Sequence, residues 1–231
     1  MTDRDGLVIF DCDGVLIDSE TIACRTISET LVQFGITMTP REALDAYVGT
    51  SEKDVRADLR ERGLDDYDKF TEMWREHLWV AFANDLKPMQ GIEMLIKLIE
   101  TPICVASNSS HQRLERSLGK TSIWSHFGPH IYSSEDVARP KPAPDLVLHC
   151  LSQFNARPEK SVMIDDSSHG IQAALAAGVT TIGFVDPNDP RPNRQKILQE
   201  AGAEIIATGA ADLHNALKSL SVTFRSPTCP Q

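Results

Sequence analysis

The sequence predicts an α/β protein, a parallel-sheet core into which an α-helical unit is inserted. Three observations carry that prediction. A short apolar run near the start, Leu7-Val8-Ile9-Phe10, passes straight into Asp11-Cys12-Asp13-Gly14. Residues 19–84 then hold only helix-period patterns. From Gly91 onward helical and strand-like segments alternate, which is the pattern of parallel strands joined by crossover helices. The division expected is a core of 1–17 and 86–221, a helical cap of 18–85, and a loose tail of 222–231.

Taken in order, Leu7–Phe10 is a continuous apolar run of the kind that forms a strand buried on both faces. Gly14 frees the backbone to turn sharply out of it. Ser19 is placed to cap a helix carrying Ile22, Ile27, Leu31 and Phe34 on one face, with Gly35 at its end. Thr39-Pro40-Arg41-Glu42 is a capping box with proline in the first turn. Ser51 opens a helix with Val55 and Leu59 inward, closed by Gly63. A longer helix follows over 67–84, with Phe70, Met73, Trp74 and Leu78. Trp74 and Trp79 are expected to pack within the cap or support a subunit contact.

In the second half, Ile92, Leu95, Ile96 and Ile99 mark a helix face, and residues 102–107 a strand. A helix with Leu114 and Leu118 is expected to stop at Gly119. Residues 130–132 read as a short strand, and 139–144 as a rigid proline loop leading into a helix with Val147, Leu148 and Leu151. Residues 161–166 form a strand ending in two carboxylates. Ser167 caps the helix of Ile171, Ala174 and Leu175, which Gly178 closes. Strands are expected at 179–185 and, on the sheet edge, at 203–207. Leu213, Leu217 and Leu220 mark the last helix.

Composition narrows the function classes. A net charge of −10 argues against nucleic acid and anionic membranes, since both require a basic face. The five cysteines are scattered and include no CxxC pair, so neither a zinc site nor a disulfide framework is indicated. Cys12, Cys104 and Cys150 lie in apolar runs and read as buried thiols. No leader-like segment precedes the first strand and no run of ~18 apolar residues occurs, so a soluble cytoplasmic protein is expected. Oligomeric state is expected to be monomer or weak homo-oligomer.

In open parallel sheets, ligands bind beyond the carboxyl ends of the strands. Asp11 and Asp13, Ser107 and Asn108, Lys141, and Asp165 and Asp166 all fall there. Burying carboxylates at a strand end is costly unless they are paired or bound to metal. Asp11 and Asp13 are therefore expected to share a cation. A calcium loop does not fit, because it requires glycine at its sixth place and glutamate at its twelfth, whereas here glycine is fourth and Ile22 twelfth. Mg2+, which takes oxygen ligands and keeps substrate phosphate in its shell, does fit. Ser107 and Lys141 can then grip phosphate oxygens, one by hydrogen bond and one by charge. Arg113 and His169 are rim candidates, with Arg113 read as a solvated helix residue.

These four clusters, in this order, resemble the motifs of the haloacid dehalogenase superfamily of phosphohydrolases, in the subgroup with a helical cap between the first two strands. The matching segments are Asp11-Cys-Asp13-Gly14, Ser107-Asn108, Arg139-Pro-Lys141-Pro and Ile164-Asp165-Asp166-Ser167-Ser168-His169-Gly170. The resemblance implies a Rossmann-like α/β core and an Mg2+-dependent phosphatase working through an aspartyl-phosphate. It makes Asp11 the nucleophile and Asp13 the general acid/base, with Asp13 also giving Mg2+ its backbone carbonyl. Asp166 completes the metal site, with Asp165 beside it where the family's common form has glutamate. The expected substrate is a small phosphorylated metabolite, a sugar phosphate or sugar-acid phosphate such as 6-phosphogluconate. A phosphosugar mutase of the β-phosphoglucomutase kind is the alternative. Such mutases carry a histidine and an arginine where this chain has Ala23 and Glu52, which favours hydrolysis. Glu20, Thr50 and Lys53, with Gly49 and Ser51, are the cap's candidates to face the leaving group.

Overall fold

The computed structural model describes residues 5–48, 50, 52–220 and 222–225. The chain divides after Ile17 and after Lys87 into two compact units. The helical unit thus runs on to Lys87 rather than ending at 85.

The first unit is built on β1 (Val8–Phe10), β2 (Ile103–Ser107), β3 (Ile131–Ser133), β4 (Val162–Asp165), β5 (Thr180–Val185) and β6 (Ile205–Thr208). Among the described residues they form one parallel sheet in the order β3-β2-β1-β4-β5-β6. The strand order reverses at β1, so a crevice opens at the carboxyl ends of β1, β2 and β4. Phe10 stands opposite Val105 and Ile164, and the Asp11 N–H donates to the Ile164 carbonyl at 2.9 Å. The register therefore delivers Asp11 between the ends of β2 and β4.

Both faces of β1 are buried, as a parallel sheet requires. Leu7 and Ile9 join a cluster sealed by Leu146, Val147, Cys150 and Leu151 of α8 (Asp145–Phe154) and Ala173 and Ala174 of α9 (Ser168–Ala176). On the other face Phe10 meets Phe127 of α7 (Trp124–Phe127) edge-on at 6.2 Å. The remaining helices of this unit are α5 (Ile92–Leu98), α6 (His111–Arg116), α10 (Arg194–Glu200) and α11 (Gly209–Ser219). Where the chain leaves and re-enters the unit, Ile17 and Pro88 form an antiparallel bridge and the Met89 N–H donates to the Leu16 carbonyl at 2.9 Å.

Several local expectations change. The helix after β2, capped by the Ser110 side chain, ends at Arg116, because Ser117 leaves helical geometry (φ −104°, ψ −88°) and Leu118–Lys120 is a separate 3-10 turn that buries Leu118. Leu148 and Leu175 are solvent-exposed. Their helices pack instead through Leu146, Val147 and Cys150, and through Ile171, Ala173 and Ala174. The edge strand sits slightly later than expected, at Ile205–Thr208. The tail is not loose where it is described. Glu100 N–H donates to Thr223 O and Arg225 N–H to Leu98 O, each at 2.8 Å, around an Ile99–Phe224 bridge. Residues 226–231, Cys229 among them, lie outside the described residues, as do Gly49, Ser51 and Ser221.

The second unit comprises α1 (Ser19–Val32), α2 (Pro40–Tyr47), α3 (Glu52–Glu61) and α4 (Tyr67–Asp85). Ser19 is not the cap of α1 but its first, fully buried residue, and Asp18 in the cap position makes no side-chain cap bond. The Thr39–Glu42 capping box of α2 is present with both of its bonds. Two threonines of α1 hold α4. Trp74 Nε1–H donates to Thr26 Oγ1 at 3.0 Å, and Thr30 Oγ1 lies 2.9 Å from His77 Nδ1. Trp74 also stacks on Phe70, and Trp79 tilts against Phe82. Among the described residues no helix is long and apolar enough to cross a membrane.

Candidate active site

The ends of β1, β2 and β4 and the proline loop before α8 converge on one lysine. Lys141 Nζ donates to Asp11 Oδ1 at 2.6 Å, Asp165 Oδ2 at 2.8 Å and the Ala106 carbonyl at 3.0 Å, which uses all three of its protons. The lysine is buried, a placement that is tolerable only because each proton is matched. Its loop is fixed by Asn108, whose amide grips the Lys141 peptide from both sides. Nδ2–H donates to Lys141 O at 2.9 Å, and Lys141 N–H donates to Oδ1 at 3.0 Å. Ser107, also buried, accepts the Ser109 N–H on its hydroxyl oxygen at 3.1 Å.

The carboxylates drawn together are those of Asp11, Asp165 and Asp166, each buried and each offering an oxygen within 4.8 Å of the others. The Asp13 carboxylate is instead held by Ser109 Oγ at 2.8 Å and Arg113 Nη2 at 3.2 Å. Arg113 is therefore not a solvated helix residue: α6, capped at Ser110, carries it back to the β1 loop. Asp165 accepts three hydrogen bonds. Its Oδ1 accepts Ser167 N–H at 2.9 Å and Ser167 Oγ–H at 2.6 Å, and its Oδ2 accepts Lys141.

Two glycines make room for these carboxylates. Gly14 has φ +78°, and a Cβ there would lie 2.6 Å from Asp166 Oδ2. At Gly170, in the first turn of α9, a Cβ would lie 1.7 Å from Asp165 Oδ2. The carboxylates thus sit directly against backbone.

Burial pushes the Asp11 carboxyl up to about 7; Lys141 opposes this, while Asp165 and Asp13 add to it. Burial alone would lower the Lys141 ammonium, but Asp11 and Asp165 more than reverse that and hold it above the ordinary lysine value. Cys12, between the two aspartates, is pushed well up by burial and then by Asp13 and Asp11, so it remains an inert thiol. An all-oxygen set of three buried carboxylates, one already displaced toward its protonated form, fits a hard divalent cation, and Mg2+ suits it.

The other expected residues lie apart from this cluster in the sequence. Glu20 is half-buried in the first turn of α1, Thr50 donates its hydroxyl to Ala46 O at 2.9 Å, and Lys53 is exposed in the first turn of α3. His169 is exposed on α9. Sequence reasoning missed Arg194, which reaches the Asp166 carbonyl and lies 3.4 Å from its Oδ2. It follows a proline-dense stretch, 186–193, and opens a helix with Leu198 as its buried residue. Neither periodicity nor a cap signal marks it.

Residues 8–184 match the family model for haloacid dehalogenase-like hydrolases, and the chain belongs to that family. A 6-phosphogluconate phosphatase of Escherichia coli (strain K12) is 30% identical over 188 residues, 79% of this chain and 84% of that protein. A phosphorylated carbohydrates phosphatase of Thermotoga maritima is 26% identical over 219 residues, 92% of this chain and 98% of the other. The crystal structure of a hydrolase of the family from Deinococcus radiodurans R1, with bound phosphate and sodium, matches with a TM-score of 0.83 at 29% identity, covering 95% of this chain and 98% of that one. The chain is accordingly a phosphoric monoester hydrolase of small phosphorylated metabolites.

Proposed function

We propose that the protein is an Mg2+-dependent phosphatase of a sugar phosphate or sugar-acid phosphate, such as 6-phosphogluconate, and that Asp11 is its nucleophile. The observation that carries this reading is the buried Asp11 carboxylate at the end of the central strand, paired with Lys141 and set beside Asp165 and Asp166.

In this reading an Asp11 oxygen forms a bond to phosphorus while the bond from phosphorus to the substrate oxygen breaks. Asp13 supplies the proton that the leaving alkoxide takes up. Water then attacks phosphorus with Asp13 as base, and the bond to Asp11 breaks, releasing phosphate. Ser109 and Arg113 orient Asp13 for both steps. Ser107 donates its hydroxyl proton to a phosphate oxygen, and Lys141, held in place by Asn108 and Asp165, neutralises charge on the transferring group. Asp11, Asp166 and the Asp13 carbonyl would hold Mg2+, which supplies further positive charge to the phosphoryl group when bound. Asp165 stands beside that set and holds Lys141 through its Oδ2. Glu20, Thr50 and Lys53 are the helical unit's candidates for contact with the leaving group.

A screen of phosphorylated sugars and sugar acids, read as released inorganic phosphate, tests the reading. Release should stop in excess chelator and return with Mg2+, and Asp11→Asn should lose at least ~1,000-fold in turnover. Full activity in chelator, or a wild-type rate in Asp11→Asn, would overturn it. Conversion of a sugar phosphate to its positional isomer without phosphate release would identify a mutase instead.

A further inference from the structure

Asp166 is flanked by a line of alternating charges that the mechanism above does not use. Arg194 Nη2 donates to the Asp166 carbonyl and stands 3.4 Å from its Oδ2, while the backbone of Gly14 packs close against the same carboxylate. Arg194 Nε is 3.3 Å from Asp189 Oδ2. Asp189 is in turn held by Arg191, from Nε to both carboxylate oxygens at 2.9 and 3.0 Å and from Nη2 to Oδ2 at 2.7 Å. Asp189, Arg191 and Arg194 have side chains only 8%, 13% and 15% exposed, so water screens these charges less than it would at the surface.

We propose that the Arg191–Asp189–Arg194 line sets the cation affinity of the site: Arg194 competes with the metal ion for Asp166, and Asp189 holds part of that competition back. This rests on the reading of Asp166 as a metal ligand. The electrostatics have a definite sign. A guanidinium beside the carboxylate repels a divalent ion and satisfies the oxygen that the ion would take. Asp189 draws Arg194 toward itself and weakens that effect, and Arg191 occupies Asp189 and partly restores it. A purely structural role would give a different pattern, because loss of any brace would loosen the Asp166 turn and weaken binding.

The test is Mn2+ binding to the metal-stripped full-length protein at fixed pH, followed by the electron paramagnetic resonance signal of free Mn2+, with circular dichroism to confirm folding. Arg194→Gln should bind Mn2+ about 3- to 10-fold more tightly, and Arg194→Lys, which keeps the charge, should stay nearer to wild type. Asp189→Asn should bind roughly 3-fold more weakly, and that loss should vanish in the Arg194→Gln background. Arg191→Gln leaves Arg194 in place and should tighten binding; it decides the sign if Arg194→Gln fails to fold. Weaker or unchanged binding in both arginine variants would overturn the proposal. Asp166→Asn separates this from the underlying reading: wild-type Mn2+ affinity there would mean that Asp166 is not a ligand at all.

Discussion

The strand-end site and the helical unit manage charge in opposite ways. At the site, Lys141, Asp11 and Asp165 have side chains 3%, 11% and 0% exposed and are matched bond for bond. In the helical unit, pairs such as Arg41–Asp45 and Arg62–Asp58 have both partners at least 38% exposed. Exposed pairs contribute about 0–1 kcal/mol, whereas removing one partner of a buried pair costs about 3–5 kcal/mol because the other charge is stranded. The core therefore tolerates little change at its strand ends. The surface of the helical unit is held by aromatic stacking and threonine bonds beneath it, and can change its charges at little cost in stability.

The largest test of this contrast pairs Lys141→Met with Arg62→Met. The first leaves two buried carboxylates and a carbonyl without their donor. It should lower unfolding free energy by about 3–5 kcal/mol and abolish phosphatase activity. The second should cost under about 1 kcal/mol. Denaturant midpoints measure both, and equal losses would erase the distinction drawn here.

Adding a single methyl group sharpens the comparison. Gly170→Ala places a Cβ 1.7 Å from Asp165 Oδ2, so the carboxylate or the helix must move, at an expected cost of about 3 kcal/mol with loss of activity. Gly35→Ala, in the helical unit, meets no atom within 4 Å and suffers only from φ +74°, for about 1 kcal/mol. Thermal melts and p-nitrophenyl phosphate turnover read both variants. An active, stable Gly170→Ala would mean that the tight fit around Asp165 is not required.

What was legible in the sequence follows the same division. Strands buried on both faces are continuous apolar runs, so β1, β2, β4 and the polar residues at their ends stood out, and the order of the clusters placed them on one edge. Partners chosen by tertiary approach did not stand out. The Asp13 carboxylate meets Ser109 and Arg113 because α6 folds back over the β1 loop. Arg194 was hidden behind 186–193, where three prolines obscure the approach of α10 to Asp166. Ser19 looked like a cap because its side chain suits one, yet it is buried inside the first turn. Thr223 and Arg225 looked like tail because two backbone bonds to Leu98 and Glu100 leave no side-chain signature.

Titration should also separate the two regions, with opposite signs. Asp11 has a folded value of about 7 against an ordinary 3.8. Between those values the native state holds a proton that the unfolded chain has lost. In chelated protein its contribution is thus full below about pH 4 and disappears as pH rises through about 7. Asp58 is lowered, chiefly by the Arg62 hydrogen bond and against the effect of burial. Its contribution is present above the ordinary carboxyl range and is lost as pH falls below it. The melting-temperature difference between wild type and Asp11→Asn, both in chelator, should shift against the wild type from pH 4.5 to 7.5. A difference that does not change with pH would mean that Asp11 titrates normally.

The smallest effect lies within the helical unit and tests how its exposed charges differ from the buried hydroxyl next to them. Tyr47, on α2, is buried and donates its hydroxyl to Asp58 Oδ2 on α3 at 2.6 Å, the same oxygen that Arg62 Nε reaches at 2.6 Å. Burial, and then Asp58, hold the phenol above its ordinary value, so it remains a donor across the working pH range. Tyr47→Phe removes that bond and leaves the ring. Asp58 keeps Arg62 and access to water, so no charge is stranded, and the expected loss is about 1 kcal/mol. Amide exchange in α2 and α3 should accelerate accordingly, while β1 and β4 amides and p-nitrophenyl phosphate turnover should stay within about twofold of wild type. In an Asp58→Asn background the same substitution should cost less, because the acceptor has lost its charge. A loss of several kcal/mol in Tyr47→Phe would place a stranded buried polar group in the helical unit, and the contrast with the strand-end site would no longer hold.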